Sequence, residues 1–350
     1  MKIRENCYML GIGSTGGKIY KEFVQRHYKG AAANGSEQDH KALGDVPNKY
    51  TLQGFDGFGG HRERAMDCLA GNEDFIKFVE GIIVFILFAG GGSTGSGCAP
   101  IVAEMLLEEK DEEGNPVKTV CPVIALPASG ESLAKHKNAY ETVQELQEIE
   151  GLGATFFLNN DSNENYDYIN KNFANMLDEF LSNESYGRQN NFDESERLEM
   201  LKDSGAMVLS VTGDGTDSKI KLEKLTKSGI FAPIEDNYIC ENIGVIHSKN
   251  DKSDIDSEDV IAEVGKPDNV FEGFNGRKTI IAVSGLDYPV SHVKKLGELA
   301  VKANAERMRN KKSTRAKLGS LELPEVTEQK EEPIKKKTTK LDLLKMRRGQ

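Results

Sequence analysis

The sequence predicts an α/β protein. It has an N-terminal parallel-sheet domain, a long central helix, a smaller C-terminal α+β domain, an extended C-terminal helix and a disordered basic tail. Three observations carry this. Buried-looking runs alternate with stretches of helical spacing over residues 7–159, which is the pattern of a parallel sheet covered on both faces. Glycine-rich segments follow the strands at 11–17 and 91–97. From about residue 318 the chain turns Pro-, Glu- and Lys-rich, a composition that cannot bury enough surface to order itself.

Composition sets the class. A chain of 350 residues with 38% hydrophobic and 29% charged residues buries a sizeable core. The net charge of -11 excludes a general nucleic-acid-binding surface but not a local basic segment. Five scattered cysteines with no C-x-x-C pair imply reduced thiols and a cytoplasmic protein. The apolar run 82–89 is far short of the ~20 residues that span a bilayer, so no membrane insertion is expected.

Taken in order, "CYMLGI" is a strand, Gly11 to Gly17 a glycine loop, and "KIYKEFVQRHY" a helix with Ile19, Phe23 and Val24 on one face. Residues 29–50 read as polar and irregular, and "GFDGFGGHRERAMDCLAG" as a glycine loop entering a helix. "GIIVFILFAG" is a central strand, with a loop at 91–97 and a helix from about residue 98. "TVCPVIALP" and "ATFFLNN" are strands around the helix "ESLAKHKNAYETVQELQEIE". A long helix is expected over about 163–185, and "ESERLEMLKDSG" is helical. The second domain opens with the strand "AMVLSVTG", continues with "NYICENIGVIHS" and "KTIIAVSGLDYP" around an acidic loop at 250–259, and a terminal helix begins after Pro289. The divisions are 1–162, 163–204, 205–289, 290–317 and 318–350.

The glycines admit several chemistries. Gly11, Gly13 and Gly16 form G-x-G-x-x-G, but a dinucleotide site needs an acidic residue ~20 positions on, at a strand end. Asp39 and Asp56 are the nearest, and neither ends a convincing strand. A Walker A loop fails because positions 12 and 19 are isoleucine. Gly91-Gly92-Ser93-Thr94-Gly95 matches a nucleophile elbow with Ser93 as nucleophile, and His136, His247 and His292 lie downstream. That serine hydrolase reading leaves the loops at 11–17 and 57–60 without a role. A phosphate cradle uses all of them. Glycine backbone approaches a polyanion closely, Thr94 and Ser96 add hydroxyls, and a helix N-terminus favours negative charge.

The segment Gly91-Gly92-Ser93-Thr94-Gly95-Ser96-Gly97 resembles the signature of the tubulin/FtsZ superfamily, with Ser93 in place of a glycine or inserted beside one. The resemblance spans about residues 7–290. It implies a GTP/GDP site using Gly11, Gly13, Ser14, Thr15 and Gly16 as a first phosphate loop, with Mg²⁺ and no protein metal ligand assigned. Gly57, Gly59 and Gly60 resemble the loop that senses the γ-phosphate. Pro127, Glu131 and Lys135 resemble the ribose loop, with Lys135 in place of arginine. Asn160 and Asn170 resemble the guanine contacts, with Asn172 an alternative register and helix capping the alternative role. "GRQNNFDESE" resembles the catalytic loop through Asn191, Asp193 and Glu196; on composition alone it is an acidic loop that caps a helix.

In that family these acids act on the nucleotide of the next subunit, so the resemblance implies a head-to-tail filament and polymerisation-dependent GTP hydrolysis. The long terminal helix and the basic end "IKKKTTKLDLLKMRRGQ" favour the branch that segregates plasmid or phage DNA through a small DNA-binding adaptor. Each phosphate such a tail neutralised would contribute roughly -0.9 to the log–log salt slope. A cytokinetic, FtsZ-like role is the alternative.

Overall fold

The computed structural model describes residues 2–184, 192–251 and 255–314. The chain divides into two compact units, Met1–Arg307 and Met308–Gln350; of the second, residues 308–314 are described, all helical.

Within the first unit the strands are β1 Cys7–Ile12, β2 Lys29–Asn34, β3 Lys49–Thr51, β4 Ile83–Ala89, β5 Thr119–Leu126, β6 Ala154–Asn159, β7 Gly205–Thr212, β8 Asn242–Ser248, β9 Asn269–Gly276 and β10 Thr279–Leu286. The helices are α1 Gly13–Val24, α2 Glu37–Leu43, α3 Ala65–Leu69, α4 Ser93–Leu107, α5 Leu133–Glu148, α6 Tyr166–Ser182, α7 Glu194–Lys202, α8 Ser218–Thr226, α9 Ser257–Val264 and α10 Val290–Thr314. The strands form one ten-stranded sheet in the order β3-β2-β1-β4-β5-β6-β7-β10-β8-β9. Pairing is parallel from β3 to β7. β10 lies antiparallel between β7 and β8, and β9 closes the edge parallel to β8.

The order locates a binding crevice before any side chain is considered. From β1 the chain steps to β2 on one side; from β4 it steps to β5 on the other. Right-handed crossovers therefore send α1 and α4 to opposite faces, and a crevice opens between β1 and β4 at the carboxyl end of the sheet. β1 and β4 are central, and every residue of Ile83–Phe88 is fully buried, as a strand covered on both faces requires. α6 packs on α1, with the Phe23 and Phe173 rings edge-on at 6.1 Å.

Several elements differ from the expectation. Residues 29–50 hold β2, α2 and β3 rather than irregular chain. β2 reads Lys-Gly-Ala-Ala-Ala-Asn and lacks β-formers, yet it is set by parallel pairing to β1, and its Gly30 faces Tyr20 where a Cβ would be 2.5 Å from the ring. α9 and β9 were not foreseen; α9 starts at the end of the stretch read as an acidic loop, with Asp256 as its N-cap. The helix after β4 begins at Ser93, not near residue 98, and α1 begins at Gly13. Both glycine segments are thus helical first turns. The expected second-domain boundary at 205 coincides with the β6–β7 pairing, which the sheet crosses without a break. The segment 318–350 lies outside the described residues. No described helix is long and apolar enough to cross a membrane.

Candidate functional site

A cleft of 360 Å³ lies at the β1/β4 crevice. One wall is Gly13, Ser14 and Thr15, where β1 turns into α1; another is Gly92, Ser93, Thr94 and Gly95, where β4 turns into α4. Gly57 and Gly59 close a third side. The three glycine segments that the sequence singles out therefore meet at one place. Two helix N-termini supply backbone N–H groups and the positive ends of their dipoles to it.

The glycines do different work there. Gly13 has φ +74°, a left-handed turn that an L side chain resists, and its face meets the Gly95 backbone nitrogen at 3.2 Å from where a Cβ would stand. Gly16 has ordinary torsions, but a Cβ there would run into the Leu87 carbonyl oxygen of β4. Gly11 packs on Gly16, and Gly97 packs on the Arg62 carbonyl. Gly11, Gly16 and Gly97 are thus buried packing positions rather than cleft walls. Ser96 is fully buried, and its hydroxyl donates back to the Gly92 carbonyl oxygen, away from the cleft. Gly60 and Gly91 flank the cleft without lining it. Gly16→Ala is expected to distort the β1/β4 cleft and lower stability by about 1–3 kcal/mol, because neither β4 nor α1 can give way. Urea denaturation checks this.

The far wall holds residues the sequence reading passed over as binding groups: Asn34 and Ser36 from the end of β2, with Asp39 and Asp56. Asn34 Nδ2 donates to Asp39 Oδ2 at 2.9 Å. The signal was present in an asparagine and a serine beyond a strand end, but the strand itself was not recognised.

Glu131 and Lys135 form an i,i+4 ion pair at the start of α5. Burial would raise the Glu131 carboxyl, but the Lys135 bond and charge, the Ala128 N–H and the Tyr166 hydroxyl outweigh it and hold it below its usual range. Tyr166 opens α6, is 40% exposed, and donates to Glu131 at 3.2 Å. Asn170 follows one turn later on the same face and is buried; Asn172 is half-buried. Capping falls to neighbours: Asn159 accepts from Asp161 N–H, and Asn165 caps α6, so neither Asn160 nor Asn170 is a cap. Tyr166 is the residue missed here. An exposed aromatic four residues before Asn170 was the available signal.

Asp193 and Glu196 lie apart from all of this. α6 leaves the carboxyl end of β6 and runs back past the sheet for 17 residues, about 25 Å at 1.5 Å per residue. α7 then precedes Gly205, which pairs with Ala154 at the start of β6. The two acids thus sit at the end of the sheet opposite the cleft. Asp193 is the N-cap of α7, accepting from Ser195 N–H at 2.7 Å, while Glu196 Oε2 accepts from Asp193 N–H at 2.9 Å, a reciprocal capping box. The hydrogen bond with Glu196 lowers the Asp193 carboxyl; burial and the same bond raise that of Glu196. Asn191 lies outside the described residues.

No family model matches the chain. The TubZ protein of Clostridium botulinum C phage is 25% identical over 299 residues, 82% of this chain and 81% of that one. The tail-truncated structure of Clostridium botulinum phage c-st TubZ superposes with a TM-score of 0.74 at 24% identity, covering 87% of this chain and 99% of that one. A GTPγS-form protofilament of Bacillus thuringiensis serovar israelensis TubZ gives 0.72 at 14% identity, covering 88% and 94%. The chain thus has a doubly wound sheet whose first and fourth strands deliver glycine-rich helix starts to one crevice, and in sequence and fold it is similar to tubulin-like proteins of the tubulin/FtsZ superfamily. Among these it is similar to TubZ.

Proposed function

We propose that the chain is a filament-forming GTPase: each protomer holds GTP in the β1/β4 cleft, and the next protomer brings Asp193 and Glu196 to it. One observation carries this reading. The cleft and the acidic pair occupy opposite ends of the same molecule, about 25 Å apart along α6, so a complete site needs two copies. A head-to-tail contact that does not close builds an open filament, and the protofilament form of the TubZ relative agrees with it.

The cleft suits a phosphate chain. It is lined by glycine backbone and by Ser14, Thr15, Ser93 and Thr94, and interlocked glycines leave no room for side chains where the two helix starts meet. The ribose would lie at Glu131 and Lys135, and the base at Tyr166, Asn160 and Asn170. A bound Mg²⁺ would supply charge neutralisation on the phosphates, and Asp39 and Asp56 are the cleft carboxylates that offer it oxygen. The chain's own work is positioning. Backbone N–H groups fix the phosphates, and Asp193 and Glu196 orient the attacking water and accept its proton. Both acids also cap α7, which fixes where their carboxyl groups stand.

Light scattering on adding GTP with Mg²⁺ tests the reading: scattering rises with GTP, and turnover per protomer climbs steeply with protein concentration. Equal turnover in dilute and concentrated solution overturns the shared site. The serine hydrolase reading predicts no rise. It also lacks support in the backbone, since Ser93 is absent from the residues with positive φ, where a strained elbow would put it, and the His136 ring is engaged with the Ala128 carbonyl oxygen at 2.9 Å.

The cellular role we propose is partition of plasmid or phage DNA in the cytoplasm through a DNA-binding adaptor. The similarity to a phage TubZ and the basic sequence of the C-terminus support this over a cytokinetic role. Deleting residues 321–350 is expected to spare polymerisation and abolish adaptor recruitment, read by co-sedimentation of adaptor-bound DNA with filaments.

A further inference from the structure

The segment 57–60 reaches the cleft with little support of its own. Gly57, Gly59 and Gly60 all have positive φ, and of the three only Gly59 has an atom within 4 Å of where a Cβ would stand, His61 at 4.0 Å. What fixes the segment lies behind it, on α5. Asn138, Thr142 and Glu145 recur at helical spacing and form one polar stripe. Asn138 is buried, and its Nδ2 donates to the Gly91 carbonyl oxygen at 3.3 Å and to that of Gly60 at 3.5 Å. Thr142, fully buried, donates to the Asn138 carbonyl oxygen of its own helix at 2.7 Å, with the Ser96 carbonyl oxygen 3.3 Å away. Arg62, two residues past the glycines, donates to that same Ser96 oxygen at 2.8 Å and to Glu145 Oε1 at 2.7 Å. Its side chain is only 11% exposed.

Burying a guanidinium and an amide is costly unless they are paired, and an apolar stripe would pack α5 on α4 without that cost. Asn138 spends its bonds on the carbonyls of Gly60 and Gly91, and Arg62 ties the Ser96 carbonyl to Glu145. We propose that Arg62 and Asn138 are positioning residues that hold residues 57–60 against the terminal phosphate of a bound nucleoside triphosphate, and so set the preference for triphosphate over diphosphate. This rests on the GTP reading above. The walls at Gly13–Thr15 and Gly92–Gly95 are also interlocked with each other through Gly13 and Gly95, a support that residues 57–60 lack. Loosening the clamp therefore weakens triphosphate binding more than diphosphate binding.

The test is a titration of the full chain with fluorescent GDP and GTPγS, below the concentration at which scattering rises. Asn138→Leu keeps the volume but removes the donor; Arg62→Lys keeps the cation but cannot span Ser96 and Glu145. Each is expected to weaken GTPγS about tenfold, with GDP changed by less than about twofold. An equal loss for both nucleotides, or no change in either, overturns the clamp. If the native chain binds neither nucleotide, the GTP reading fails and takes the clamp with it, so the native titration separates the two failures. Should Asn138→Leu not fold, by its thermal unfolding curve, the Arg62→Lys titration decides alone.

Discussion

Asp193→Asn and Glu196→Gln are each expected to slow GTP turnover by about 10²- to 10³-fold, while nucleotide affinity stays within about threefold and the melting temperature is unchanged. The choice of substitution follows from the double use of these side chains. Asp193 caps α7 and Glu196 closes the capping box, so replacement by alanine removes a structural bond worth about 1 kcal/mol as well as a charge. Asparagine is as good a cap as aspartate, and glutamine serves at the third position of the box. The amides therefore keep the helix start and remove only the ability to take a proton. Filaments of either variant are expected to outlast those of the native chain, seen as scattering that does not decay after GTP addition. Loss of nucleotide binding in either variant would reject the assignment, since both residues stand a full helix length from the cleft.

The largest stability effect is expected at Lys221. Its side chain and that of Asp251 are both 0% exposed, with Nζ donating to Oδ2 at 2.6 Å. Asp251 also accepts from Thr279 Oγ1 at 2.8 Å and from the Gly215 N–H at 3.1 Å. The pair joins α8, the start of β10 and the turn after β7. Lys221→Met leaves a carboxylate buried without its cation, a change that costs about 3–5 kcal/mol. Urea denaturation reads it directly. Adding Asp251→Asn to Lys221→Met is expected to cost less than the sum of the two single changes, because the neutral amide needs no counter-charge; a double-mutant cycle gives that coupling. Additive losses would mean that the two groups act independently.

Much of the fold was legible because it is written in periodicity and glycine. β4 announces itself as seven apolar residues, and α6 by its spacing. β2 did not, because an alanine-rich strand carries no β-propensity and is fixed by its neighbour across the sheet. The site divides in the same way. Gly13, Thr94 and Gly95 line the cleft, and close backbone approach leaves a mark in sequence, whereas Ser96 and Gly97 carry the same mark at buried positions outside the lining. Nothing in one sequence separates a glycine that faces a ligand from one that faces a strand. Asn138 and Arg62 were invisible for another reason: both serve backbone carbonyls, and a carbonyl has no sequence identity. That the capping box and the proposed acids are the same residues could not be resolved by pattern either, since both roles call for the same spacing.

The Gly13–Gly95 interlock has a kinetic corollary. Where two helix starts are locked together before any ligand arrives, the ordering cost of a phosphate-binding loop is met during folding rather than at capture. Uptake should then proceed without a slow rearrangement, and differences between nucleotides should appear in how long each one stays, not in how fast it enters.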